Sequence, residues 1–193
     1  MSVQYRLATL ADGPALEALI RLSTLTLQSA YYSPVQLEGA LGTVFGVDSQ
    51  LIKDGTYFVA NERDVIIGCG GWSKRKTLYG GDAKRSGEDP LRDPETEPAM
   101  IRAFFVHPGH VRRGIARQLL QQCEAAATRA GFGRLEIIAT LAGERLYAAC
   151  GYDVVERFDI ELGNGARLPV VRMRRRDLPV QEPLHRAPHP TMS

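Results

Sequence analysis

The sequence contains few cysteines and little net charge, two features that in larger amounts mark disulfide-rich, metal-binding or nucleic-acid-binding proteins. It has three cysteines, an odd number without the spacing of metal ligands, and each lies in an apolar context. We therefore expect reduced thiols in the core, with neither disulfides nor a metal site. The formal net charge is only +2, which argues against the strongly basic face of a dedicated nucleic-acid-binding protein.

Long hydrophobic runs are missing as well. No window approaches the roughly 20 apolar residues that cross a bilayer, and the N-terminus, MSVQYRLATL, lacks the basic and apolar regions of a signal peptide. The sequence thus predicts a cytoplasmic protein without membrane contact.

Its 193 residues suit one domain with a sizeable core, which we place at residues 1–178. Residues 179–193 are rich in proline and polar residues without periodicity, which predicts a disordered tail.

One stretch, IRAFFVHPGHVRRGIAR at residues 101–117, combines a strand, a turn and the start of a helix. The apolar, β-branched and aromatic residues 101–106 predict a buried strand that ends before Pro108. From Gly114 onward, apolar residues recur on one face of a helix that ends before Gly131. The stretch therefore predicts a strand, a basic loop and a helix N-terminus in succession.

The predicted helix N-terminus has the properties of an anion site. Its first turn leaves backbone N–H groups unpaired, and the aligned peptide dipoles add partial positive charge. Gly114 has no Cβ and Ala116 is nearly as small, so a ligand can approach the backbone closely. The basic residues Arg112, Arg113 and Arg117 raise the local positive potential. Hydrogen bonds to a charged group contribute about 1.5 to 3 kcal/mol each, so three or four would hold a pyrophosphate.

The same residues carry a family resemblance. The segment VHPGHVRRGIARQLL resembles the coenzyme A signature of the GNAT superfamily, the Gcn5-related N-acetyltransferases, in which V-x-P is followed by Gln/Arg-x-x-Gly-x-Gly/Ala. Val106, Pro108, Gly114 and Ala116 match this pattern. Val111 departs from it, because the family usually has Gln or Arg there. That position contributes mainly its backbone in the family, so the departure weakens one side-chain contact and leaves the site in place.

A second landmark lies in ATLAGERLYAACGYDVVER, residues 139–157. It resembles the family's tyrosine on a short helix followed by a Gly-aromatic pair, which here are Tyr147, Gly151 and Tyr152. The resemblance implies an α/β (α+β) GNAT fold, a central mixed β-sheet of about seven strands with helices on both faces. The long loop at residues 74–98 lies outside it and is either a functional lid or a disordered segment.

The resemblance also implies an activity and its residues. It implies direct transfer of an acetyl group from acetyl-CoA, without a metal, to an amine of a small molecule or peptide. Tyr147 would be the acid that protonates the leaving thiolate, although its ring could instead simply pack against the sheet. The strand before the phosphate loop would open away from its parallel neighbour and pair with pantetheine. The implied cofactor contacts are Phe104, Phe105, Val106, Val111, Arg112, Arg113, Gly114, Ile115, Ala116 and Arg117.

The general base and the acceptor stay open at this stage. Many relatives have a glutamate near the start of the central strand, where this sequence has Arg102. Acidic residues of loop 74–98 would suit a cationic amine if the loop folds over the cleft, but they could equally be solvated. Tyr31 and Tyr32 are candidates for a substrate wall or for the capping of a helix pair. The nearby candidates for the base are Glu97, Asp82, His107 and His110, and a water relay is equally possible.

Two other functions compete with this interpretation. A non-catalytic acyl-CoA-binding module acting through a protein partner would keep the phosphate loop and leave Tyr147 idle. A dinucleotide-binding unit fits less well, because its Gly-x-Gly-x-x-Gly fingerprint is absent and Gly109 and Gly114 have the wrong spacing. The sequence leaves open whether the protein forms a homodimer.

Overall fold

The computed structural model describes residues 2–82 and 89–175. The predicted tail at 179–193 and the centre of loop 74–98 lie outside the described residues. In chain order the elements are β1 (Gln4–Leu7), α1 (Gly13–Leu27), α2 (Pro34–Ala40), α3 (Ser49–Lys53), β2 (Tyr57–Glu62), β3 (Val65–Ser73), β4 (Ala99–Val106), α4 (Ile115–Arg129), β5 (Leu135–Thr140), α5 (Glu144–Ala149), β6 (Tyr152–Glu161) and β7 (Arg167–Arg175).

The seven strands form one mixed sheet in the order β1-β2-β3-β4-β5-β7-β6. Among the described strands, only the central pair, β4 and β5, is parallel, and α4 forms the crossover between them. Helices cover both faces. Ile66 packs in a cluster with residues of α1, whereas its neighbour Ile67 packs against α4, and successive residues of a strand point to opposite faces. The predicted fold class is confirmed.

The two parallel strands pair over only a short length. Their register joins Ala99–Ile101 to Leu135–Ile137 and then ends, although β4 continues to Val106. On its other side β4 has a bulge, because Phe105 pairs with Cys69 while Arg102 already pairs with Gly71. Ala103 in this bulge has a φ of 56°. The strands therefore separate beyond Ile101, which opens the middle of the sheet.

The glycines of β3 make room for three specific neighbours. A Cβ at Gly68 would lie 2.8 Å from Ile115 of α4, and one at Gly70 would lie 2.6 Å from the Phe104 ring. A Cβ at Gly71 would meet the ring of Tyr57 at 2.9 Å. Larger residues here would push the helix and both rings away from the sheet.

The described parts of loop 74–98 are held by hydrogen bonds to one another and to the domain. Arg75 forms a bridge pair with Leu91, and its guanidinium lies 2.7 Å from the Asp54 carboxylate. Lys76 Nζ lies 3.6 Å from Glu97. Two cations of the loop, Arg75 and Lys76, are thus paired with carboxylates of the protein. Within the described residues, no helix is both long enough and apolar enough to span a membrane.

Candidate active site

A cleft of about 580 Å³ opens where β4 and β5 separate. Its floor is formed by residues 101–106 of β4 and by Ile137 and Ile138 of β5. We call one end the phosphate end, formed by residues 110–112 and 114–117. We call the other the acceptor end, formed by the C-terminal part of α1 with Tyr31, residues 44–46 and residues 78–80. A ligand that lies along the cleft would touch both ends.

The backbone at the phosphate end presents a set of free donors. A 3₁₀ turn at Pro108–His110 ends β4, and Arg112 and Gly114 then adopt φ angles of 63° and 78° before α4 begins. The first helical bond in α4 is donated by the N–H of Gln118 to the carbonyl oxygen of Gly114. Among the hydrogen bonds of the described residues, none is donated by the N–H groups of residues 111–117. These amides are free for an anion, as the sequence predicts for a helix N-terminus.

The structure brings nine of the ten predicted cofactor contacts to this cleft. They are Phe104, Phe105, Val106, Val111, Arg112, Gly114, Ile115, Ala116 and Arg117. Arg113 is not among the residues that line it. Its guanidinium points to the end of β2, where Nη2 lies 2.7 Å from Oε1 of Glu62.

Glu62 contacts two side chains of the phosphate loop, a role that no motif around it indicates. Its Oε1 contacts Arg113, and its Oε2 lies 3.2 Å from Nε2 of His110. The hydrogen bond from Arg113 is the main reason that the pKa of Glu62 falls to about 2. His107 accepts a hydrogen bond from the N–H of Gly109 at 3.1 Å, which supports a structural role for that histidine.

Tyr147 lies in the wall of the cleft between two aromatic rings. Its ring meets that of Phe104 edge-on at 6.2 Å and that of Tyr152 at 5.9 Å. The side chain is buried, and this burial raises the pKa of its phenol well above the ordinary value. Its hydroxyl makes no hydrogen bond with the described residues. The hydroxyl oxygen is nevertheless not fully buried, and the residue lines the cleft. The phenol thus stays protonated at neutral pH, with its donor available to a ligand in the cleft.

Arg102 occupies the position near which the family often has a glutamate, and its charge is already compensated. Its guanidinium lies 3.0 Å from Asp48 and donates to the carbonyl oxygens of Thr77 at 3.0 Å and Gly80 at 2.5 Å. Of the four candidate bases, only His110 lines the cleft. No aspartate or glutamate is among the cleft-lining residues within the described ranges, and those ranges hold no cluster of three potential metal ligands.

The two neighbouring tyrosines of the acceptor segment have different positions. Tyr31 is half exposed and lines the cleft. Tyr32 is buried, and its hydroxyl donates to the carbonyl oxygen of Pro169 at 2.7 Å and accepts from the N–H of Leu141 at 2.9 Å. Tyr31 therefore remains a candidate for the substrate wall, whereas Tyr32 joins the segment after α1 to the sheet.

Comparisons with known proteins bear on the family and the fold of the chain. The model of the family described as "Acetyltransferase (GNAT) family" matches residues 23–152. No curated protein matches the chain in sequence.

Solved structures match in fold over nearly the whole chain. A GCN5-related N-acetyltransferase from Rhodopseudomonas palustris has 20% identity and a TM-score of 0.67, covering 91% of this chain and 96% of its own. The PaiA N-acetyltransferase from Thermoplasma acidophilum, in complex with coenzyme A, has 14% identity and a TM-score of 0.64, with coverage of 91% and 99%. YncA from Salmonella typhimurium, with its cofactor acetyl-CoA, has 18% identity and a TM-score of 0.61, with coverage of 98% and 99%.

Proposed function

Because the chain belongs to the GNAT family of acetyltransferases, we propose that it transfers an acetyl group from acetyl-CoA directly to an amine bound in the cleft. One observation carries the proposal: the unpaired N–H groups of residues 111–117 belong to the loop and helix start at one end of the cleft that Tyr147 also lines. A single ligand with a diphosphate at one end and a reactive thioester further along would use both features. Two neighbours of the same fold contain coenzyme A or acetyl-CoA.

The cofactor would bind mainly through the backbone. The diphosphate accepts hydrogen bonds from the N–H groups at the start of α4, where the helix dipole and the cleft-lining Arg112 and Arg117 add positive charge. Beyond Ile101, β4 no longer pairs with β5. The strand-facing amides of pantetheine can therefore pair with the backbone of residues 104–106, as an added strand would.

The transfer itself requires two proton movements. The lone pair of a neutral amine attacks the thioester carbon, and backbone N–H groups of β4 stabilise the oxyanion that forms. The C–S bond then breaks, and the Tyr147 hydroxyl donates its proton to the leaving sulfur. The nitrogen loses one proton as the amide forms, and this proton restores the phenol through water in the cleft. We assign the relay to water because no carboxylate lines the cleft within the described ranges and His110, at the phosphate end, has its Nε2 3.2 Å from Glu62.

The test combines binding with turnover. Titration calorimetry should show that the protein binds acetyl-CoA and coenzyme A, with no comparable heat for NAD. A thiol-release assay with acetyl-CoA and a panel of amines should then show amine-dependent formation of free coenzyme A. Failure to bind acetyl-CoA would remove the proposal. Tight binding without transfer to any amine would instead favour a non-catalytic acyl-CoA-binding module.

A further inference from the structure

The acceptor end of the cleft is built mostly from uncharged, apolar side chains. Leucine and isoleucine side chains lie there beside three aromatic rings, and the residues that make this wall are Leu27, Tyr31, Phe45, Leu78, Tyr79 and Ile160. Arg102 borders this end, but its charge is compensated by Asp48. Such a wall favours the body of an apolar ligand over a polycation.

Two residues with polar side chains, Ser23 and Gln28, also line this end of the cleft. Gln28 ends α1, and its backbone carbonyl accepts hydrogen bonds from the N–H groups of Tyr31 and Tyr32 at 2.9 and 3.0 Å. The residue lines the cleft and is only 8% exposed. Its Oε1 is fully buried without a hydrogen-bond partner. Its Nε2 makes no hydrogen bond with the described residues either, and this nitrogen is not fully buried.

A buried amide without hydrogen bonds destabilises a folded chain, and native structures contain few of them without a reason. Turning the Gln28 amide over exchanges its oxygen and nitrogen, which have nearly the same size. That rotation breaks no hydrogen bond within the described residues. In that orientation Gln28 presents its oxygen to the cleft, and a ligand N–H would supply the partner that the protein does not give to this end of the amide.

We propose that Gln28 recognises the acceptor, and that the acceptor is a small amine on an apolar or aromatic body. Its Oε1 accepts a hydrogen bond from the amine N–H, while the apolar wall takes the rest of the molecule. This assignment rests on the proposed function, since it places the amine in the cleft that holds acetyl-CoA. A polyamine finds no carboxylate among the described cleft-lining residues to compensate its additional charges.

The test measures the binding of amines, without turnover. Phenethylamine and spermidine are titrated by calorimetry into the protein saturated with coenzyme A. Phenethylamine should bind at least tenfold more tightly than spermidine. The variant Gln28→Met keeps the length of the side chain but removes the amide, and it should weaken phenethylamine binding about tenfold, the effect of losing one hydrogen bond. Gln28→Glu keeps an acceptor oxygen and should retain binding. The matched control Gln121→Met changes an exposed residue of α4 and should have no effect.

Thermal unfolding separates recognition from a structural role. Because the free amide lacks partners, Gln28→Met should leave the melting temperature unchanged or raise it while it weakens binding. A lowered melting temperature with unchanged binding would overturn the proposal, as would a preference for spermidine or no binding of phenethylamine to the wild type. Turnover distinguishes the two proposals. Binding as expected with no thiol release defeats the proposed function alone, whereas thiol release with the same amine KM in Gln28→Met defeats only the role of Gln28.

Discussion

The guanidinium of Arg102 lies 3.0 Å from the Asp48 carboxylate, and both side chains are almost completely buried. Asp48 also caps α3 by accepting a hydrogen bond from the N–H of Leu51 at 3.4 Å. Arg102 additionally donates to the carbonyl oxygens of Thr77 and Gly80. The pair thus joins β4 to α3 and to the segment that forms part of the acceptor end.

Breaking this buried pair should cost considerable stability. Asp48→Asn would leave the Arg102 guanidinium buried without its counter-charge, so we expect the free energy of unfolding to fall by about 3 to 5 kcal/mol. Urea denaturation measures the change. The control is Asp12→Asn, which disrupts the 2.8 Å pair with the partly exposed Arg6 and should cost on the order of 1 kcal/mol. Equal losses in the two variants would contradict the assignment of Arg102 and Asp48 as a buried pair.

Local features of the site could be predicted from the sequence because their residues are contiguous. The strand end at Pro108, the glycine before α4 and the apolar face of α4 lie within one stretch, so their periodicity and turn chemistry give the element boundaries. The structure accordingly has α4 at Ile115–Arg129. The short helix that bears Tyr147, which the family resemblance implied, is α5 at Glu144–Ala149.

Long-range contacts could not be predicted in this way. Glu62 reaches Arg113 across 51 positions of the chain, and nothing in the composition around Glu62 indicates that partner. Helix α3, at Ser49–Lys53, has only five residues, too few for an apolar periodicity to show. The bulge of β4 puts Ala103 at a positive φ without the glycine that would have signalled it. Gln28 looks like an ordinary helix residue until the fold buries it.

The conformation of Gly114 allows a test of whether the phosphate end binds acetyl-CoA. Its φ is 78°, and a Cβ there would meet no atom within 4 Å, so a side chain would strain the backbone without a clash. Gly114→Val should weaken acetyl-CoA binding at least tenfold, because moving one N–H group away from the diphosphate forfeits about 1.5 to 3 kcal/mol. Calorimetry measures the dissociation constant.

Gly165 provides the matched control for that variant. It lies in the turn between β6 and β7, has a φ of 82° and also has open space around its Cβ position. Gly165→Val should therefore cost similar backbone strain while leaving acetyl-CoA affinity at the wild-type level. A dissociation constant that stays the same in Gly114→Val would show that this turn does not hold the cofactor.

The ion pairs of Glu62 predict a pH dependence of stability. The pKa of Glu62 falls from its ordinary 4.5 to about 2, mainly through the hydrogen bond from Arg113. A carboxyl group whose pKa is lower in the folded than in the unfolded protein stabilises the fold at pH values above its unfolded-state pKa. This stabilisation is lost as the pH falls through the folded-state pKa. The melting temperature of the wild type should therefore fall more steeply between about pH 4.5 and 2 than that of Glu62→Gln.

Arg113→Met should flatten the same part of the pH profile, because it removes the main partner of Glu62. Differential scanning calorimetry from pH 2 to 7 records all three proteins, and the curves should converge at the acid end, where Glu62 is protonated. Parallel curves for Glu62→Gln and the wild type over this range would contradict the network.

The hydroxyl of Tyr147 should matter for catalysis and hardly at all for folding. It makes no hydrogen bond with the described residues, so Tyr147→Phe should unfold at the same temperature as the wild type and bind acetyl-CoA equally well. Loss of a positioned general acid should nevertheless lower kcat by about 10²- to 10⁴-fold.

Tyr152→Phe should have the opposite effect, a loss of stability with little change in kcat. The Tyr152 hydroxyl donates to Glu124 at 3.0 Å in the core, and it is not among the cleft-lining residues within the described ranges. Its removal should cost about 1 to 3 kcal/mol of stability and leave kcat within a few-fold of the wild type under conditions where the variant is folded. Thiol release and urea denaturation on both variants give the comparison. If Tyr147→Phe keeps the wild-type kcat with a good acceptor, another group must protonate the leaving thiolate.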